Sequence, residues 1–306
     1  KPKAPKKDEC EESGVGIKRP LEEKPTVVKR KRLQPVHDSE GEEEEEDVTM
    51  TDAKTQPVGA ADLKATWKPG ERVPFSHLAN MFEKVEAETK RLKITEMLTT
   101  AFRTIIATTP EDLLPCVYLC VNKLAPAHEG IETAVGESIL LKALADATGR
   151  QKKHLMEDIK TMGDIGLVAL NSRSMQKTLF KAKQLTCCSL FTTLRQIAAE
   201  EGQNAQKRKG DRIKGLLVAA QGREATYIAR MLQGRLRIGA SEATVISALA
   251  QAVVLTPPPA VAGSFKVERG EALKMQLEQA VAIIKSVHAE LPCFDKIVPA
   301  LLERKI

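Results

Sequence analysis

The stretch FSHLANMFEKV, residues 75–85, sets Phe75, Leu78, Ala79, Phe82 and Val85 three or four positions apart. That spacing gathers the apolar groups on one stripe of a 3.6-residue helix and is incompatible with the two-residue period of a strand. Ser76 is the expected N-cap, and Trp67-Lys-Pro-Gly70 reads as the entry turn. The same period continues downstream. Ile94, Met97, Leu98, Phe102, Ile105 and Ile106 repeat it up to Pro110. A segment from Pro110 to Leu124 carries Leu113, Leu114, Val117, Tyr118 and Val121, and Pro115 is tolerable there only in the first turn. Further helices are expected at Glu137–Ala147, Gln151–Met162, Thr186–Ala199, Asp211–Ala220, Arg223–Leu232, Ser241–Leu255 and Glu268–Glu290, punctuated by Gly149 and Gly163. Nothing alternates with period two for long enough to make a strand, so the reading is all-α.

The 306 residues allow about two domains, and they divide at about residue 66. Residues 1–66 have no apolar periodicity, prolines at 2, 5, 20, 25, 35 and 57, and an acidic block, Glu42 to Asp47. Such a segment cannot repay the entropy of ordering, and a disordered charged tail is expected. Within it Lys18 and Arg19, then Lys29, Arg30, Lys31 and Arg32 after a nine-residue spacer, have the form of a two-part nuclear localisation signal. Ser39, between Asp38 and Glu40, fits an acid-directed phosphorylation site. Residues 67–306 are the helical domain.

Several chemistries find no footing. There is no apolar run of membrane-spanning length and no secretion signal, so the chain is expected to stay inside the cell. The six cysteines lack disulfide-scaffold spacing and form no Cys-x-x-Cys pair; they read as reduced thiols. Cys116 and Cys120 are one helical turn apart, but no His or carboxylate pair completes a tetrahedral site, and the five histidines are scattered. Gly202–Gly210 lacks the Gly-Lys-Ser/Thr ending of a phosphate loop, and Gly163-Asp-Ile-Gly166 is too short for a dinucleotide fingerprint. Aromatic content of 3% weighs against single-strand binding by serial base stacking.

Charge is unevenly placed. Residues 1–66 hold 13 Lys+Arg against 16 Asp+Glu, residues 67–149 hold 9 against 11, residues 150–240 hold 18 against 7, and residues 241–306 hold 7 against 7. The excess of eleven in one periodic segment is the footprint of a polyanion-binding face, since cations gain by displacing counterions from phosphates. Lys207, Arg208 and Lys209 are expected to crowd the start of the Asp211 helix, where free N–H groups would suit a phosphate. Arg223, Tyr227 and Arg230 share a face, either solvated or in direct contact with a ligand. The sharpest signal is Leu232–Ser241, in which Gly234 and Gly239 bracket Arg235 and Arg237. If extended, that loop turns both arginines one way and Leu236 and Ile238 the other, beside backbone bare enough for close approach. Ser241 caps the next helix, whose core face is Ile246, Leu249, Ala250 and Val253, and Glu242 argues against a phosphate at that helix end. Asn171, Ser172, Arg173 and Ser174 read as a second polar loop.

At these residues the sequence resembles the eukaryotic replicative ATP-dependent DNA ligases. The shared features are Trp67-Lys-Pro-Gly with Val73-Pro-Phe, Asp112-Leu-Leu-Pro with Tyr118-Leu, Thr148-Gly-Arg150, Gly163-Asp-Ile-Gly-Leu-Val with Asn171-Ser-Arg-Ser, Ile213-Lys-Gly-Leu, and Tyr227-Ile-Ala-Arg through Leu236-Arg-Ile-Gly. The resemblance covers most of residues 67–306 and implies the multi-helix DNA-binding domain of such ligases. It implies a domain that holds nicked double-stranded DNA through the minor groove, mostly by phosphates and sugars, in support of Okazaki-fragment joining and excision repair. Phosphate contacts are then expected from Arg235, Arg237, Gly234, Gly239, Asn171, Arg173, Ser174 and Lys214, with Thr244 structural. The parent enzyme is expected to use ATP and Mg2+, to reside in the nucleus, to work as a monomer and to meet a sliding clamp. The family's adenylated lysine sits in Lys-x-Asp-Gly; the nearest string here is Lys160-Thr-Met-Gly, so this fragment is expected to hold no cofactor and have no ligase activity of its own. The clamp-binding box is not visible in the tail. The alternative is a helical protein-interaction scaffold with an incidental basic face, although no repeat of scaffold length is present.

Overall fold

The computed structural model describes residues 63–132, 135–174, 183–257 and 267–303. The localisation-like signal and Ser39 lie outside them. Among the described residues there are twelve α-helices and no β-strand: α1 Phe75–Glu86, α2 Arg91–Thr108, α3 Leu113–Val121, α4 Glu137–Thr148, α5 Lys152–Met162, α6 Ile165–Ser174, α7 Cys187–Ala199, α8 Ala205–Ala219, α9 Glu224–Leu232, α10 Glu242–Leu255, α11 Glu271–Glu290 and α12 Phe294–Glu303. The all-α reading holds.

The centre is α10. Thr244, Val245, Ile246, Ala248, Leu249, Ala250, Ala252, Val253 and Val254 are all buried, so this helix is apolar nearly all round rather than on the single expected face. It packs on α2, α3 and α11. Its alanines let α2 approach closely: the Thr99 hydroxyl lies 3.4 Å from the Ala248 carbonyl and 3.2 Å from Gln251 Oε1. From α10 the apolar core runs continuously through α1 (Phe75, Phe82), α3 (Val117, Tyr118) and α9 (Ile228, Met231) to α12 (Phe294, Leu301). Each such side chain removed from water contributes about 1.5–3 kcal/mol before entropy is counted. Cys116, Cys120 and Cys187 are buried free thiols within it, and Cys293 is a buried free thiol beside Phe294 in sequence.

The entry segment is tied down by polar groups. Buried Asp112 accepts the Val73 N–H at 2.8 Å and a hydrogen bond from Arg72, while Gly70 N–H reaches the Thr108 carbonyl at 2.9 Å. An antiparallel bridge follows between Pro74 and Thr186, with Phe75 N–H on the Leu185 carbonyl and Cys187 N–H on the Val73 carbonyl, both at 2.8 Å. Two chain segments more than a hundred residues apart thereby start α1 and α7 side by side.

Four expectations are corrected. Ser76 does not cap α1: Pro74, with φ −69° and ψ 139°, holds the N-cap position and Ser76 lies within the first turn. The helix expected from Asp211 begins at Ala205, after Asn204 at φ 64°, because its first two turns are polar and carry no apolar period. Residues 165–174, read as a loop at their polar end, form α6. The helix α12 was not foreseen, since Pro299 interrupts its pattern, yet Phe294, Ile297, Val298 and Leu301 form one buried stripe. Pro115 does fall in the first turn of α3.

Against α9 lies α6, at backbone distance. A Cβ on Gly166 would sit 2.7 Å from the Thr226 carbonyl oxygen and 3.0 Å from Arg230 Cγ. Gly215, within α8, has nothing within 4 Å of the same position. Two glycine-to-alanine changes therefore have opposite signs. Gly166→Ala is expected to destabilise by about 2 kcal/mol through overpacking against backbone, and Gly215→Ala to stabilise by about 0.5–1 kcal/mol through helix propensity. Urea unfolding midpoints at constant slope measure both.

Candidate functional site

The loop between α9 and α10 is shaped by left-handed backbone. Gly234 has φ 75°, Arg237 φ 56° and Gly239 φ 71°. The first ends α9: Gly234 N–H bonds the Met231 carbonyl at 2.9 Å and Arg235 N–H the Arg230 carbonyl at 3.1 Å. The loop is therefore folded back rather than extended, but the expected division of side chains holds. Leu236 and Ile238 are 6% and 3% exposed and anchor it in the core, while Arg235 and Arg237 face solvent. Left-handed backbone costs a residue with a Cβ about 1–2 kcal/mol. Such conformations persist only where the surroundings impose them, and they cluster at functional sites. Arg237 Nη1 also reaches the carbonyl of Gly163, the left-handed residue ending α5, at 3.3 Å.

A shallow concavity of about 430 Å³ opens beside this loop, bordered by Asn122, Gly234, Arg237, Gly239 and Ser241. Asn122, at φ 53°, ends α3 and was not singled out from the sequence, because its place beside the arginine loop is created by tertiary packing. Ser241 does cap α10, accepting the Thr244 N–H at 3.2 Å. Thr244 is buried, and its hydroxyl lies 2.9 Å from that of Ser241. Glu242 in the first turn of α10 is held by Lys123 Nζ at 2.7 and 2.8 Å.

The other expected contact residues are differently placed. Asn171, Ser172, Arg173 and Ser174 are the last turn of α6, not a loop. Asn171 is exposed, with its amide 3.5 Å from the sulfur of Met162 at the end of α5. Ser172 is buried and accepts from Arg150 at 2.8 Å. Arg173 Nη2 donates to the Val218 and Ala220 carbonyls at 2.7 and 3.2 Å, closing the C-terminal end of α8. Lys214 is exposed on α8 with no ion pair among the described residues. The basic run at residues 207–209 lies inside α8 instead of leading into it. Glu200 takes Arg208 and Arg212 at 2.5 and 3.1 Å, which draws its own carboxyl below the usual range.

The shared face of Arg223, Tyr227 and Arg230 exists, with Arg223 exposed at its rim while Tyr227 and Arg230 are buried and engaged within the fold. It turns onto α1. Arg223 pairs with Glu83 at 2.8 Å, the Tyr227 hydroxyl donates to Glu86 at 3.0 Å, and Arg230 Nη1 and Nη2 grip both Glu86 oxygens at 2.8 and 2.9 Å. Arg230 is 3% exposed and also holds Asp164 Oδ2 at 2.9 Å from Nε and 2.6 Å from Nη2. The second Asp164 oxygen accepts the Gly166 N–H at 2.7 Å and caps α6. Hydrogen bonds from Arg230 draw the Glu86 carboxyl below its ordinary value of 4.5. For Asp164 burial pushes upward, but Arg230 and the Gly166 N–H outweigh it and the net shift is downward from 3.8.

Of the nine arginines in residues 150–240, Arg150, Arg173, Arg195, Arg208, Arg212, Arg223, Arg230 and Arg237 each have an ion pair or carbonyl contact within the fold. Among the described residues Arg235 alone of the nine has no side-chain partner, while Lys152, Lys153, Lys160, Lys207 and Lys214 are exposed without ion pairs. The surplus read from the sequence is thus part structural and part available.

Comparison with known proteins fits this geometry to a family. Residues 74–250 match the family described as DNA ligase N terminus. The chain is 45% identical over 241 residues to DNA ligase 1 of Arabidopsis thaliana, covering 77% of this chain and 29% of that protein. It is 39% identical to DNA ligase 1 of Dictyostelium discoideum (78% of this chain, 20% of that protein) and 32% identical to DNA ligase 1 of Saccharomyces cerevisiae (76% and 31%). The chain therefore spans less than a third of the length of these relatives.

Two outcomes are expected from the geometry. Because the Glu86 and Asp164 carboxyls are lowered in the folded state, their contribution to stability is present above their ordinary values of 4.5 and 3.8 and is lost as pH falls below those values through the depressed folded-state ones. Thermal unfolding across that window should show the loss, and Glu86→Gln should flatten it. At position 237, Arg237→Gly is expected to leave unfolding free energy unchanged or slightly higher, whereas Arg237→Val lowers it by about 1–2 kcal/mol.

Proposed function

The chain belongs to the family of DNA ligase N-terminal domains, and we propose that it grips nicked duplex DNA without regard to sequence, to support nick sealing in replication and excision repair. The observation that carries this reading is the loop from Gly234 to Gly239, with Arg235 unpartnered among the described residues and Arg237 held left-handed beside it. Two guanidiniums on a folded-back loop offer forked donors to phosphate oxygens, and exposed Gly234 and Gly239 allow a sugar–phosphate chain to approach the backbone. Asn122, at the rim of the same concavity, adds a polar group suited to the minor groove. Asn171, beside the α5 end, and Lys214 supply flanking contacts. Arg173 and the last turn of α6 serve the domain as framework, through the carbonyls that end α8.

Contacts of this kind read the phosphate chain, not base edges. Preference for a break comes from the deformability of a nicked duplex. The adenylation chemistry belongs to the rest of the ligase: this chain contains no Lys-x-Asp-Gly, and among the described residues no group of three His, Cys, Asp or Glu is placed to hold a metal ion. The ATP and Mg2+ implied by the resemblance are assigned to the parent ligase. Nuclear residence and encounter with a sliding clamp follow from the same reading. No described helix is long and apolar enough to cross a membrane.

The test is the affinity of the 306-residue chain for intact and nicked duplexes of unrelated sequence across a salt series. The expected result is steep salt dependence, indifference to sequence, and a loss of roughly tenfold or more in Arg235→Ala/Arg237→Ala, with the salt slope reduced by about one for each phosphate contact removed. Absence of binding at low salt would sink the reading and leave the protein-interaction scaffold.

A further inference from the structure

Two features of the arginine loop lead inward to the same buried charge. Arg230, on α9, accepts the Arg235 N–H with its own carbonyl and so fixes where the loop leaves the helix. Its guanidinium clasps Asp164. Asp164 follows Gly163, whose carbonyl receives Arg237, and precedes Gly166, whose N–H it caps. The residue that starts the loop and the residue that receives its second arginine are thereby joined through one guanidinium–carboxylate pair. Glu86 holds the far side of that guanidinium, so Arg230 remains paired if Asp164 loses its charge.

We propose that Asp164 is a positioning residue for DNA binding: through Arg230 and the Gly163–Gly166 turn it fixes Arg237, and with it the Arg235 loop, in the geometry that meets phosphate. This rests on the DNA-gripping reading above. Asp164 touches no phosphate in this scheme and, being an anion, would repel one. Its removal by simple electrostatics should strengthen DNA binding, while loss of positioning should weaken it. The two roles therefore have opposite signs.

The discriminating variant is Asp164→Asn, which keeps the shape and an oxygen for the Gly166 N–H. DNA affinity is measured at two salt concentrations for the wild-type chain, Asp164→Asn, Arg237→Ala and the double variant, with Glu86→Gln as a control that weakens the other side of Arg230. Amide hydrogen exchange is followed at residues 163–166 and 234–239 without DNA. Positioning is supported if Asp164→Asn weakens binding by about fivefold, loses most of that effect when Arg237 is already alanine, and speeds exchange in both turns while α2 and α10 keep their protection. A purely structural role would speed exchange across the domain, α2 and α10 included, and would give additive losses. Wild-type binding with additive variants, or tighter binding by Asp164→Asn, would overturn the positioning role alone. No binding by the wild type would overturn the DNA-gripping reading with it.

Discussion

A guanidinium removed from water costs stability unless carboxylates or other hydrogen-bond acceptors meet it. Arg230 sets this condition for α1, α6, α9 and the loop that follows α9. Its two partners come from α1 and from the turn between α5 and α6, 144 and 66 residues away in sequence. Satisfying them seats α9 on α1, caps α6 and sets the exit direction of the following loop. The seam between α6 and α9 then closes at Gly166, where no side chain intervenes. One charge balance thus orders four segments that hydrophobic burial alone would leave free to slide, since apolar contact has no direction.

How much of this was legible in the sequence depends on whether the signal was local. The helices α1, α2, α4 and α5 announce themselves because their apolar residues recur on one face and left-handed glycines stop α4 and α5, while α10 is marked by its Ser241 cap and a longer apolar run than one face needs. The period is silent in α8 before Ile213, where two polar turns are sustained by the clasp on Glu200, and in α12, where Pro299 breaks the pattern. The turn Asn171–Ser174 carries the composition of a loop, but its Ser172 and Arg173 are satisfied by Arg150 and by the end of α8, both distant in sequence. In the candidate site, the in-and-out division of Leu236 and Ile238 from Arg235 and Arg237 follows from spacing. The left-handed Arg237 and the neighbouring Asn122 do not, because each is imposed by what packs around it.

Reading charge as function met the same limit. The surplus in residues 150–240 points correctly to an unusual segment, yet most of its guanidiniums are spent within the fold. Arg223, Tyr227 and Arg230 occupy one helical face as their spacing requires, and its Tyr227 and Arg230 turn inward because Glu86 waits on α1, while Arg223 stays exposed beside Glu83. Periodicity states which residues share a face; only complementary partners decide which way it looks.

The division of labour between the two cationic side chains has its own consequence. Guanidiniums hold the framework, fixed by planar forks that keep their proton at any accessible pH, whereas the amines of Lys152, Lys153, Lys160, Lys207 and Lys214 stand in solvent. Acylation of amines discharges the second set and leaves the first untouched. Apart from Lys123, whose amine holds Glu242, the domain's surface potential is therefore chemically adjustable with little effect on its architecture.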